Sequence, residues 1–291
     1  MYEVSLSPWF YYFLVVLPIS LGLIGAQRNM PEDITSVNYN KISRIYDTSR
    51  VAHAETIDKL VGLLHIGRDS VVLDMGCGTG NYSGAIQQVA VSAIGIDLSI
   101  RMLEQARAKF SDLSLVHGNV TSIPFKSETF DAAFAIQVLH HVKDKRLFLR
   151  EAYRVLKKGA YLAIDSCSHR QMRTFWLYYY FPKGLDIDLI RIPDTNEIAS
   201  LLERTGFYNV STEISYTDIA FEHEKPEHYL DKNYRDGQST FCLLTEEDIE
   251  SGCTKLREDI ASGAVEAVIR QFAVKEARVG GSCITYGRKM G

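Results

Sequence analysis

The chain has 291 residues, a formal net charge of −4 and a pI near 6.1, so it lacks the basic footprint that phosphate backbones require and nucleic acid is a poor partner. With 46% hydrophobic residues it has ample material for a buried core. Its five cysteines are odd in number and scattered, with no Cys-x-x-Cys pair, which reads as reduced thiols rather than a disulfide or zinc framework, and no metal site is expected.

The first element is an apolar run over 8–26, just long enough to cross a bilayer, although Pro18, Ser20, Gly22 and Gly25 make it a mediocre helix. Glu3 is the only charge before it, so the positive leader of a signal peptide is missing. Arg28, Lys41 and Arg44 follow it, which would keep the next domain on the cytoplasmic side. Two readings stay open: residues 1–29 are an anchor that gives membrane contact through 8–26, or translation begins at Met30. Residues 30–291 then form one domain, with insertions at about 166–193 and 218–280.

Within 38–64, Ile57, Leu60, Val61 and Leu64 recur at helical spacing and predict an entry helix that covers one face of a sheet. The run 71–80 then places a buried strand, Val71-Val72-Leu73-Asp74-Met75, directly before Gly76-Cys77-Gly78-Thr79-Gly80. Alternating glycines remove Cβ atoms where a backbone must bend and a ligand must approach, and the helix after them offers free N–H groups to an anion. A dinucleotide fingerprint needs its third glycine or alanine at Asn81, whereas here it comes one place early at Gly80.

Asp74, Gly76, Gly78 and Gly80 match the Asp-x-Gly-x-Gly-x-Gly motif, and on them the chain resembles the class I S-adenosylmethionine-dependent methyltransferases, of the small-molecule or quinone-methylating kind. The resemblance implies a doubly wound, mostly parallel, seven-stranded α/β sheet of Rossmann type whose last strand is antiparallel, with helical cap insertions. It also implies S-adenosyl-L-methionine as cofactor, and it covers about 38–216 plus the final strand. Residues 39–47 resemble a Tyr-Asp element that folds over the cofactor, so Tyr46 and Arg50 are expected at its amino-acid end; a solvated amphipathic helix is the plainer reading.

A crossover helix over 82–89 leads to a second strand over 91–97 that ends in Asp97. A carboxylate at that tip, about 20 residues beyond the glycines, is placed to accept both ribose hydroxyls. Ser99 is expected to cap a helix through Phe110, and 113–117 to form the third strand. The loop 118–125 resembles the family's adenine loop, with Asn119 where aspartate is usual; its amide is expected to accept from the adenine amino group and to donate to a ring nitrogen. Cys77, Leu98, Val120 and Gln137 complete the cofactor contacts that the resemblance implies.

The fourth strand, 130–136, runs into Gln137, His140 and His141, at the strand ends that border the crevice of a doubly wound sheet. A neutral imidazole there is able to take a proton from an acceptor, so His140 and His141 are the candidate catalytic residues, although they serve equally well in packing. A helix over 145–156 is expected to stop at Lys157-Lys158-Gly159, followed by a strand over 160–165. The aromatic run 175–182 is too dense for a solvent loop and either packs as a cap or walls an acceptor pocket. A helix over 194–205, a strand over 208–215, one capped helix from Thr245 to Gly263 and a last strand over 282–289 complete the order.

The expected activity is methyl transfer to a small, aromatic or amphipathic acceptor. Alternatives are a cofactor-binding regulator without turnover and an arsenite methyltransferase that would need Cys167, Cys242 and Cys253 to converge.

Overall fold

The computed structural model describes residues 52–216 and 225–291. The apolar run 8–26, Tyr46, Arg50 and the start of the second insertion lie outside the described residues, and so does the division at Met30. Helix α1 (Ala54–Leu63) precedes β1 (Val71–Met75), α2 (Asn81–Ile86), β2 (Ser92–Asp97), α3 (Ile100–Lys109), β3 (Ser114–His117) and β4 (Phe130–Ile136). Then come α4 (Lys145–Val155), β5 (Leu156–Ser166), the short α5 (His169–Met172) and α6 (Leu177–Tyr180), α7 (Pro182–Arg191), α8 (Thr195–Thr205) and β6 (Phe207–Tyr216). Helices α9 (Lys232–Asp236), α10 (Glu246–Ser262) and α11 (Val265–Glu276) separate β6 from β7 (Ser282–Lys289).

The seven strands stand in the order β3-β2-β1-β4-β5-β7-β6. All pairs are parallel up to β5, and β7 runs antiparallel to both β5 and β6. This is the doubly wound sheet that the motif implies. β1 pairs with β2 on one side and β4 on the other, so the chain reverses its winding beside β1 and opens a crevice at the carboxyl ends of these strands.

The central strands are apolar on both sides, as buried parallel strands must be. One face packs Phe148, Leu149 and Ala152 of α4 and Ile198 and Leu202 of α8 onto Leu73, Ala133 and Leu162. The other packs Leu60 and Leu64, with Ile57 and Val61 beside them, onto Val72, Ala132 and Ala163, as the helical spacing predicted. Local signals set most ends: Ser99 Oγ accepts from Met102 N at 3.3 Å, Asp144 accepts from Leu147 N at 2.9 Å, and Gly206 (φ 109°) closes α8 in the left-handed region.

Two sequence expectations fail. The helix before β5 ends at Val155 and the strand begins at once, so Lys157, Lys158 and Gly159 belong to β5 and cap nothing. Lys157 Nζ bonds Asp131 Oδ1 at 2.7 Å and the Gly159 carbonyl accepts from Arg288 Nε at 2.8 Å, and these sheet contacts outweigh the local stop signal. The second insertion holds a further long helix, α11, whose N-cap position is Ala264, without a side-chain cap, and which so left no mark in the sequence.

The insertions build a cap with its own core of Trp176, Tyr180, Phe181, Tyr229, Phe241, Cys253 and Leu256. Trp176 meets Tyr180 and Tyr229 edge to face at 6.0 and 5.5 Å. Gly252 on α10 is the closest approach: a Cβ there would lie 2.4 Å from the Phe181 ring and 2.7 Å from the Tyr180 carbonyl. Gly252→Ala is therefore expected to destabilise the protein by about 1–3 kcal/mol in urea unfolding, although alanine is the better helix former. An unchanged midpoint would mean that the ring swings aside at no cost.

Candidate functional site

β1 ends in Asp74, 3% exposed, whose Oδ2 accepts from Ser83 Oγ at 2.5 Å. Beyond it Gly76, Gly78 and Gly80 all take positive φ (85°, 52° and 79°). At Gly76 a Cβ would fall 2.6 Å from a Val138 methyl, so the loop lies flat against the tip of β4. Cys77 packs its thiol over Gly95, where a Cβ would meet Sγ at 2.6 Å. Its role is to fill the floor of the turn, and burial pushes the thiol pKa well up, so it is an inert sulfur.

Asp97 ties the two strand tips together. One carboxylate oxygen accepts from Gly78 N at 2.9 Å and the other from Ser99 N at 2.7 Å. Each oxygen thereby keeps a further lone pair, in a fixed orientation, for an incoming pair of hydroxyls. Burial raises the Asp97 pKa, while the Ser99 and Gly78 amides and His117 pull it back. Leu98, next in sequence, is 68% exposed, an apolar side chain beside a half-buried carboxylate. The His117 ring nitrogen Nε2 lies 3.0 Å from the Leu98 carbonyl.

The loop 118–125 is pinned from below. Arg154 donates to the Ile123 and Phe125 carbonyls at 2.9 and 2.7 Å, and Glu151, paired with Arg154 at 2.7 Å, accepts from Ile123 N at 2.8 Å. Val120 packs against the sheet core. Asn119 differs from expectation: its Oδ1 already accepts from Thr121 N and Thr121 Oγ1 at 2.9 and 2.8 Å. A main-chain N–H only donates, so the oxygen faces Thr121, and the group that Asn119 has left to offer a ligand is its NH₂ donor.

At the end of β4, Gln137 takes φ 53° and turns its side chain toward β5, where Nε2 donates to Asp165 Oδ1 at 2.9 Å. A single 3₁₀ turn, Leu139–His141, follows. His140 is buried, His141 half-buried, and their ring centroids are 3.9 Å apart. The described residues thus gather Asp74, Gly76, Cys77, Gly78, Gly80, Asp97, Leu98, Asn119, Val120, Gln137, His140 and His141 around the strand ends. Ser83, Val138, Glu151 and Arg154 support this edge and carry no sequence motif; only the i,i+3 spacing of the last two hinted at a pair. Cys242 and Cys253 sit in the cap, the latter within its aromatic core, and among the described residues no three His, Cys, Asp or Glu side chains converge as metal ligands.

The donor set fits an adenosyl group: an oriented carboxylate for a diol, a glycine floor without Cβ atoms, an exposed apolar side chain and an amide donor. Asp97→Ala is expected to weaken S-adenosylhomocysteine binding roughly 10- to 100-fold by calorimetry with the fold intact, because two hydrogen bonds to a charged group are lost and water replaces part of them. Burial raises the Asp74 carboxyl from 3.8 to about 7, with neighbouring Asp97 adding to the effect and Ser83 opposing it. The folded chain therefore holds a proton that the unfolded chain has released, and this contribution to stability is full below about pH 4 and is lost as pH rises through about 7. Asp74→Asn should lack that decline; the unfolding free energy of wild type, measured against the variant in urea, should fall by up to about 1.4 kcal/mol per pH unit between those limits.

Residues 73–164 match the methyltransferase domain family model. A demethylmenaquinone methyltransferase from Bacillus licheniformis is 27% identical over 198 residues, covering 60% of this chain and 84% of that protein. An O-methyltransferase from Aspergillus sclerotiorum is 32% identical over 161 residues, 51% of this chain and 57% of that protein. Among solved structures, a methyltransferase of an antibiotic-biosynthesis pathway from Anabaena variabilis superposes with a TM-score of 0.68 at 24% identity, over 82% of this chain and 98% of that one, which speaks to the fold. With the glycine loop, the strand order and these matches in agreement, the chain is an S-adenosylmethionine-dependent methyltransferase built on the class I fold.

Proposed function

We propose that the acceptor is a small, ring-bearing, amphipathic molecule of the quinol type, received between the strand ends and the aromatic cap. The observation that carries this reading is where β5 leaves the sheet. Cys167, just past its end, lies 3.8 Å from Gln137 Nε2, and the chain then enters the run Phe175 to Phe181 that forms the cap core. Past the single turn of α5, the structure that follows β5 beyond the crevice is therefore aromatic. The Bacillus licheniformis relative, by name a demethylmenaquinone methyltransferase, supports an acceptor of that class.

S-adenosyl-L-methionine, when bound, supplies an electrophilic methyl group. The chain's own part is to hold and align. Asp97 takes the ribose diol on the outer lone pairs of its carboxylate, Leu98 packs against the adenine, and the Asn119 NH₂ donates to a ring nitrogen. Asp74, Gly76, Cys77, Gly78, Gly80 and Val120 give the floor its shape rather than its charge. Tyr46 and Arg50 are assigned to the amino-acid end on the motif alone. His141, the more accessible imidazole, takes the proton released by the acceptor, and buried His140 packs against it.

Trp176 is cap core, so its role toward the acceptor is to keep the wall rigid. Tyr179 is 41% exposed with Lys255 Nζ 3.5 Å from its ring centroid, and is the aromatic available for contact. Residues 8–26 provide contact with a membrane from its cytoplasmic side, where a lipophilic acceptor would be met. Among the described residues no helix is long and apolar enough to cross a bilayer.

The test is methyl transfer from labelled cofactor to 1,4-naphthoquinol, catechol and an aliphatic amine. Transfer confined to the ring substrates is expected, and transfer to the amine alone would sink the proposal. His141→Ala should lower kcat on the best ring substrate by about 100-fold while S-adenosylhomocysteine affinity stays within about twofold. An unaltered kcat would leave alignment as the whole of catalysis.

A further inference from the structure

A cleft of about 770 Å³ lies between the start of α4 and α8. Four cations line it: Lys143, Lys145 and Arg146 at the entry to α4, and Arg204 on α8. Two acids line it as well, and each already has a task. Asp144 is the cap of α4, its Oδ1 accepting from Leu147 N at 2.9 Å. Glu197 acts on Lys145, whose pKa burial lowers and the Glu197 charge holds up. Lys145 Nζ in turn donates to the Val142 carbonyl at 3.3 Å.

Lys143, Arg146 and Arg204 are left over. Among the described residues none of these three has an ion-pair partner. Elsewhere in the chain cations do take acids: Arg154 pairs with Glu151, Lys157 with Asp131 and Arg191 with Asp188. The chain carries a net charge of −4, so acids are in surplus and a shortage of them does not explain the cluster. Like charges gathered around one concavity repel each other, and its low-dielectric walls focus their field into the space between them.

The lining says what would relieve that field. Its cations exceed its acids by two charges, which a single carboxylate would only half neutralise and a dianion would balance. Arg146 and Arg204 belong to different helices, and each guanidinium presents paired N–H groups that match two oxygens of a phosphate. Ser200, also in the lining, adds a hydroxyl donor. The volume is far larger than a bare phosphate and falls in the range of sites that enclose a whole small molecule. Leu201, which packs on the sheet core, gives the remainder of such a molecule an apolar wall.

We propose that this cleft is a binding site for a phosphate-bearing small molecule, gripped by Arg146 and Arg204, with Lys143 and Lys145 completing the charge. None of the crevice residues lines the cleft, so its ligand is distinct from both cofactor and acceptor. A soluble phosphorylated metabolite and a phospholipid headgroup share this chemistry. Leu147, 40% exposed on the first turn of α4, would meet the acyl region in the second case.

The full-length chain is titrated by calorimetry with inorganic pyrophosphate and with acetate, and sedimented with phosphatidylcholine vesicles with and without phosphatidylglycerol. The variants are Arg146→Gln, Arg204→Gln and, as a control for charge alone, Arg170→Gln, an exposed position on α5 outside the cleft. Wild type is expected to bind pyrophosphate, with each cleft variant about tenfold weaker, Arg170→Gln within about twofold, and the urea midpoints of all three unchanged. Sedimentation that requires phosphatidylglycerol and is lost in both cleft variants, without pyrophosphate binding, would support the site and assign it to a headgroup. Binding of neither probe would overturn it. So would binding that the cleft variants leave unchanged, an equal loss in Arg170→Gln, or acetate bound as tightly as pyrophosphate.

Discussion

The site depends on one carboxylate that serves two strands. Asp97 ends β2, yet its oxygens accept from Gly78, in the loop after β1, and from Ser99, at the cap of α3. Charge-assisted bonds of this kind contribute about 1.5–3 kcal/mol each, enough to hold Gly78 in a conformation that it would otherwise leave freely, while the Ile96 and Cys77 carbonyls accept from Gly76 and Gly80. The same two bonds aim the unused lone pairs outward. Holding the loop and presenting the acid are thus one act, and any change at Asp97 reaches both.

What the sequence disclosed follows from how local each cause was. β4 begins and ends where the apolar run 130–136 does, because a buried strand is bounded by the residues that cannot be buried. Asp97 and the glycines were legible for the same reason: conformational need and chemical type sit in consecutive residues. The failures have distant partners. Lys157-Lys158-Gly159 reads as a helix stop until Asp131 and Arg288 take those residues into the sheet. Asn119 reads as an acceptor until Thr121 occupies its oxygen. Ser83, Val138 and Asp165 acquire meaning only from Asp74, Gly76 and Gln137, which the fold brings to them.

The cap follows a different principle from the sheet. Its core is built from rings meeting edge to face, Trp176 on Tyr229 and on Tyr180, Phe181 on Phe241, and such packing has directional preferences that an aliphatic core lacks. A buried pair reinforces it: Arg191 and Asp188 bond at 2.5 Å, and Arg191 reaches Ser239 while Asp188 accepts from Tyr178 and Thr240. These bonds fasten α7 to the segment before α10, so two insertions far apart in sequence behave as one lid frame. Breaking that pair on one side would strand a charge in the interior.

The position of β7 has a consequence for how the protein is made. β7 lies between β5 and β6 and pairs with both, yet residues 217–281 separate it from the nearer of them. On the ribosome, β5 and β6 must emerge and wait with the flanks that β7 will cover still unsatisfied, while the second insertion is synthesised. During that interval the gap is a slot for any passing strand, including one from a neighbouring nascent chain. Loop closure over so long a span also delays the pairing once β7 has emerged. The late-arriving strand is thus the step at which quality control has most to guard, and chaperone dependence should track the length of the insertion more than the chemistry of the crevice.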